Sequence, residues 1–422
     1  MYRLFFLFFT FSFFQLTAQD ENLRYEDYTY LENIRSVKFH PIGSPIDAPI
    51  IGLNEPNNLV LYFDDLDDEI KDYAYEIVHC TKDWQPSGLN DMEYLDGFTG
   101  NIIEDIYNSF GTRVNYTHYR LYLPNEDIRW TLSGNYLLKI YEDEDEKRLA
   151  ITRRFMVFDR KVVISANQTG TAKVEKLKTH QEVDFTVVDK KSVVRSPRQE
   201  LSAVVLQNFR ADNAIYNLEP LFIKQEKIIF DYQDKIVFPA GNEFRFFDTR
   251  NLRFQGQGIR NIRVYDDGFE VDLITGRKRI NSPYLTYLDA NGQFVIEEGT
   301  QNRTFGTLRD STDLTSFDLI SIQDQNDLRE MHLRADYADV LFSLESIGEI
   351  PDAKVYVFGG LTDWQLKPEF EMRYSEAASA YYLNAFLKQG YYNYQYVIVE
   401  DGVPDISLTE GNFLKRGISI LF

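Results

Sequence analysis

The run Tyr75-Glu76-Ile77-Val78-His79 followed by Asp83-Trp84-Gln85 returns near the far end of the chain. There it reads Val355-Tyr356-Val357-Phe358-Gly359-Gly360 followed by Asp363-Trp364-Gln365. Each copy leads on to a Gly-initiated aromatic stretch. The first is Gly134-Asn135-Tyr136-Leu137-Leu138-Lys139-Ile140-Tyr141, and the second is Gly390-Tyr391-Tyr392-Asn393-Tyr394-Gln395-Tyr396-Val397-Ile398. Both end in a charged turn, Glu142-Asp143-Glu144-Asp145-Glu146 and Glu400-Asp401-Gly402. Successive side chains of a strand face opposite ways, so such alternation marks half-buried strands. A strand, an Asp-Trp turn, a long aromatic strand and a charged hairpin tip together describe one β-sandwich module used twice. The Trp-to-Gly interval is longer in the first copy, which predicts an insertion near residues 90–112.

Working outward, alternating segments at 36–39, 58–63, 73–79, 116–123, 135–141 and 154–158 assemble a first sandwich over 24–159. A second unit, 160–330, draws on strands at 161–166, 183–188, 201–209, 227–231, 235–238, 243–248, 268–273 and 293–297. Within it, residues 299–330 read as a polar excursion. The third unit, 331–422, carries the second Asp-Trp element. Helix is expected only as short turns at 55–57 and 324–331. The fold class is therefore all-β, with three tandem immunoglobulin-like sandwiches. A chain of 422 residues has room for them.

Hydrophobic residues make up 44 % of the chain and aromatic residues 15 %, enough for large cores. Part of the Phe content lies in residues 1–18, where Arg3 precedes Leu4-Phe5-Phe6-Leu7-Phe8-Phe9 and Leu16-Thr17-Ala18 closes the segment. That pattern predicts a signal peptide, and no later run is long enough to span a membrane. The net charge of −21 disfavours binding to nucleic acid or to anionic lipid headgroups. Acidic turns such as Asp64-Asp65-Leu66-Asp67-Asp68-Glu69 are expected to be solvated tips that keep sheet edges apart.

No reaction centre is evident. His40, His79, His118, His180 and His332 are isolated in sequence, and no zinc, phosphate-loop or serine-elbow motif occurs. The single cysteine, Cys80, is expected as a buried apolar side chain. No catalytic residue, cofactor or metal ligand is assigned. Trp84 and Trp364 can either stack on a sugar ring or close the end of a sandwich, and their recurrence favours the structural role. Tyr392, Tyr394 and Tyr396 share one strand face, either as an interface patch or as cross-strand packing.

The phrase Gly241-Asn242-Glu243-Phe244-Arg245-Phe246-Phe247-Asp248 with Arg250-Asn251-Leu252-Arg253 resembles a signature of the plug proteins of the Bacteroidetes type 9 secretion system. So do His40-Pro41-Ile42-Gly43, Thr81-Lys82-Asp83-Trp84-Gln85-Pro86-Ser87 and Asp96-Gly97-Phe98, and the likeness runs from about residue 24 to residue 412. The last module also resembles early-set immunoglobulin domains that bind glycogen-type glucans. The plug resemblance implies a soluble periplasmic protein, monomeric by itself, without catalytic residues. Its implied partner is an outer-membrane translocon barrel of the SprA type, whose periplasmic mouth it seals. A periplasmic or surface glycan-binding protein using Trp84 or Trp364 is the alternative. The ending Phe413-Leu414-Lys415-Arg416-Gly417-Ile418-Ser419-Ile420-Leu421-Phe422 departs from the resemblance, which leads one to expect a further long aromatic strand and a basic tail.

Overall fold

The computed structural model describes residues 23–56, 58–142, 148–284, 290–299, 325–414 and 420–421. The signal-peptide segment 1–18, the acidic tip 143–146 and most of the 299–330 excursion lie outside the described residues. Elsewhere the regular structure is almost entirely β-strand, in mostly antiparallel sheets, with a few short helices.

The first unit is the sandwich the alternation predicts. One sheet is built on the long strands Tyr73–Cys80, Gly134–Glu142 and Arg148–Phe158. The other orders Ile34–Pro41, Leu59–Asp65, Thr117–Leu123 and Asp105–Asn108. Their inward faces meet in one apolar core that includes Leu59, Leu61, Phe63, Tyr75, Tyr136 and Phe155. The predicted insertion holds a one-turn helix, Asp91–Tyr94, a strand Leu95–Gly97 that pairs apart with Ile128–Trp130, and two short strands that add to the sheets. Glu55 closes a turn on the Gly52 carbonyl. The second expected turn is a longer helix, Gln325–Arg334.

The strand Leu59–Asp65 is buried along its whole length. Leu59, Leu61 and Phe63 fill the first core, while Val60 and Tyr62 join the core of the third unit. The outer face of the second sheet is therefore an internal surface of the protein.

The third core is larger than the sequence reading allowed. Strands Arg245–Asp248, Phe269–Leu273 and Phe294–Ile296 fall in the segment assigned to the middle unit. Yet Arg245–Asp248 and Phe294–Ile296 pair with Gly390–Glu400, and Phe269–Leu273 runs parallel to Tyr337–Glu345. These pairings span tens to more than a hundred residues of sequence, and local periodicity carries no information about them. What remains in the middle is a small sandwich. One sheet runs Val163–Gly170, His180–Val188, Lys227–Phe230, Phe222–Lys224, with Val237–Pro239 also on His180–Val188. The strand Ala203–Gln207 completes it from the opposite layer.

The last described residues lie against the middle unit. Asn412 accepts a hydrogen bond from the Gly241 N–H at 2.9 Å, and the Leu414 carbonyl accepts one from Gln181 at 2.9 Å. Ile420–Leu421 then pairs with Leu206 and Gln207.

Candidate functional site

The residues singled out by sequence do not converge. Tyr392, Tyr394 and Tyr396 are 2 %, 4 % and 0 % exposed. Tyr392 stacks between Phe247 and Phe294, at 5.0 and 5.3 Å, and Tyr396 donates its hydroxyl to the Ser343 carbonyl at 2.9 Å. Their rings are cross-strand packing and offer no face to a partner. Burial drives all three hydroxyls above the ordinary tyrosine range.

The two Asp-Trp turns share an unusual backbone. Trp84, Asp363 and Trp364 all have φ near +55°, a region that bulky residues enter only when the surroundings demand it. Each indole is then capped by a guanidinium at 4.4 Å, Arg154 over Trp84 and Arg210 over Trp364. Trp364 also packs edge-on to Phe244 and Phe358. A Cβ added at Gly292 (φ +84°) would fall 2.3 Å from Trp364 Cη2, so this turn fits only against a glycine. Arg210 belongs to the middle unit, so Trp364 serves as a joint between units. Cys80 is buried, and burial pushes its thiol up to about 11, which makes it a poor nucleophile at neutral pH.

The most elaborate chemistry lies where the first unit meets the third. Asp64 is on the outward face of its strand and is completely buried. Its Oδ1 sits 2.6 Å from His118 Nδ1, its cross-strand neighbour. Its Oδ2 accepts from Lys388 Nζ and from the Tyr337 hydroxyl, each at 2.6 Å. Lys388 and Tyr337 face each other across paired strands of the third unit, and the ammonium rests 3.9 Å above the Tyr116 ring. Tyr116 in turn reaches the His332 and Ala335 carbonyls at 2.7 and 2.8 Å. Burial alone would raise the Asp64 carboxyl, but Lys388 and His118 more than reverse it and hold it below the usual range. The carboxylate is ionised and fully bonded, as a buried charge must be.

Around this clasp three histidines gather. His40, His118 and His332 surround Tyr62 at ring distances of 5.7, 5.8 and 4.4 Å. Each leaves one buried ring nitrogen without a hydrogen-bond partner. Burial lowers all three below the ordinary imidazole value, His40 to about 3. Sequence gave no sign of this cluster, because its members come from two units and from strands far apart in the chain. The only usable signal was parity, since His40, Tyr62, Asp64 and His118 all fall on the outward face of their strands. Among the described residues no group of three His, Cys, Asp or Glu is placed to hold a metal ion.

Lys38 lies on the same interface and is 6 % exposed. Its ammonium lies 4.4 Å from the Phe294 ring and has no hydrogen-bond acceptor among the described residues. Burial pushes it down to about 7, against the pull of the Asp363 carboxylate. The unfolded chain holds that proton up to its ordinary 10.5, so the folded form gives up stability at neutral pH. Replacing it with an apolar side chain of similar length, Lys38→Met, is expected to stabilise the protein by about 1–3 kcal/mol. A urea titration at pH 7 checks this; a midpoint at or below that of the wild type would refute it.

Nothing in these geometries joins a nucleophile, a base and an open cleft, and the clasp is closed to solvent. Its chemistry is that of a fastener. Over residues 34–159, which is the first sandwich, the chain matches the family described as type 9 secretion system plug protein 1st domain. No curated protein matches. A crystal structure of a hypothetical protein from Parabacteroides merdae is similar over the whole architecture, with 30% sequence identity, a TM-score of 0.83 and 94% of each chain covered. The match to the first sandwich and the likeness across all three units agree with the motifs around Phe244 and Trp84: this chain belongs to the type 9 secretion system plug family.

Proposed function

We propose that the protein is a non-enzymatic periplasmic plug that binds the periplasmic end of the secretion system's outer-membrane barrel and keeps it closed while no substrate passes. The observation that carries this reading is family membership combined with the Asp64 clasp. A stopper has to keep its shape against a wide opening. Separating the first and third units would break the Asp64 contacts to Lys388 and Tyr337 and expose Val60 and Tyr62, which share the apolar core of the third unit. The pair therefore moves as one body, with the middle sandwich attached through Arg210 and the chain end. A net charge of −21 disfavours adhesion to anionic headgroups and leaves a protein surface as the preferred landing place.

Two measurements test it together. An affinity-tagged copy, recovered from detergent-solubilised envelopes, is expected to bring a large outer-membrane barrel with it. A strain lacking the protein is expected to admit large antibiotics that the parent excludes. An envelope equally tight in both strains, with no barrel recovered, would end this reading.

A further inference from the structure

The middle sandwich ends in an edge that the rest of the chain leaves open. Val163–Gly170 pairs along its length with His180–Val188 and with nothing on its other side among the described residues. Seven of its eight residues are exposed, on both faces. Proteins ordinarily blunt such edges with charges, prolines or bulges. This one reads Val-Ile-Ser-Ala-Asn-Gln-Thr-Gly, with no charge and no proline, and its pairing register is unbroken. The row beneath it is also unfinished. Ile164 and Ala166 stand opposite Val187 and Phe185, which are buried in the core, yet Ile164 is 40 % exposed. The apolar layer stops one strand short of being covered.

The charges around this edge differ from those of the rest of the chain. Residues 160–248 hold fourteen Lys and Arg against twelve Asp and Glu, a net +2 within a chain of −21. Arg160 and Lys161 precede the strand, while Lys173, Lys176 and Lys178 follow it. Glu55, Asp159 and Asp234 pair with Arg160, Lys161 and Lys173, and no ion pair engages Lys176 or Lys178 among the described residues. A neutral β-edge of about 26 Å, with Lys176 and Lys178 beyond its Gly170 end left without ion pairs among the described residues, is complementary to one kind of ligand.

We propose that Val163–Gly170 is a strand-addition site for an extended segment of a partner protein, neutral and β-branched in its middle and carrying carboxylates at the end that meets Lys176 and Lys178. Main-chain hydrogen bonds along the free edge supply affinity, and apolar side chains laid over Ile164 and Ala166 complete the core layer. Lys176 and Lys178 set the register and select an acidic end. This inference does not depend on the sealing function. A second copy of the chain is a poorer occupant, because two bodies of charge −21 repel at long range.

The probe is the synthetic peptide Asp-Asp-Thr-Val-Thr-Val-Thr-Val-Asp-Asp, titrated onto the full-length protein at low salt. Binding is expected, together with slowed amide exchange across residues 163–170, and about tenfold weaker binding for the same peptide with lysine ends. Ile164→Lys places a charge against the incoming strand at a position exposed enough to keep the fold, and should abolish binding with the circular dichroism spectrum unchanged. Lys173→Glu/Lys176→Glu/Lys178→Glu should weaken it about tenfold. Equal binding of acidic and basic peptides, no binding at all, or full binding by Ile164→Lys would each overturn the proposal. So would wild-type dimers that Ile164→Lys disperses in the ultracentrifuge, since the edge would then be serving a second copy.

Discussion

Asp64→Ala is expected to lower the stability of the protein by about 3–5 kcal/mol, because it leaves the Lys388 ammonium buried without its hydrogen-bonded carboxylate. The carboxylate is the hub of the contact between the first and third units, bonded at once to His118, Lys388 and the Tyr337 hydroxyl. A typical domain is stable by only about 5–15 kcal/mol, so the loss is a large part of the whole. The variant should unfold at markedly lower urea concentration and be cleaved by protease between the units. Removing both charges tests the cause. Asp64→Leu/Lys388→Met abolishes the pair without stranding a charge and should recover most of the loss, since apolar replacements of a buried ion pair are often neutral. A single variant as stable as the wild type would show that the clasp contributes nothing. A double variant as weak as the single would assign the loss to packing around Tyr116 and Tyr337.

Mild acid is expected to have the second large effect. In the folded protein His40, His118 and His332 are held neutral by burial, with their proton affinity below the ordinary imidazole value of 6.5. In the unfolded chain they regain that ordinary value. The unfolded state therefore binds more protons as pH falls through 6.5, and stability present above that pH is progressively lost below it. The slope approaches about 1.4 kcal/mol per pH unit for each histidine. Asp64 has its carboxyl lowered, so its own contribution is complete above the ordinary aspartate value and is lost only as pH falls through and below it, at lower pH than the histidine effect. Asp184, raised to about 6, and Asp27, also raised by burial, act in the opposite sense, but both retain some solvent contact and offset only part of the trend. Urea midpoints at pH 7 and pH 5 measure the net result, and identical midpoints would contradict it. His332→Phe keeps the ring beside Tyr62 and removes one titrating site, so it should flatten the slope by about a third.

Much of the architecture was readable from the chain. The repeat of strand, Asp-Trp turn and aromatic strand identifies two sandwiches, and the insertion at 90–112 follows from a spacing. What parity could not supply was the role of each face. Tyr392, Tyr394 and Tyr396 do share a face, but whether a shared face meets solvent or a core depends on which strands lie over it. Here Arg245–Asp248 and Phe294–Ile296, contributed from far upstream, help to bury it. The clasp was hidden for a related reason. Asp64 opens a run of acidic residues that looks like a solvated tip, and only docking against Lys388, 324 positions later, makes it internal.

The amino-acid order by itself determined the strands, the turns and the all-β class, because alternation, turn chemistry and β-branching act over a few neighbouring residues. It also determined the absence of charge and proline over 163–170, which are local properties, although the fold decided that this strand lies at an edge. The tertiary structure decided which strands share a sheet, which face of the first sandwich is internal and where the chain end goes. Those outcomes depend on burying apolar and charged groups supplied by segments hundreds of residues apart, and no local pattern records which of them will meet.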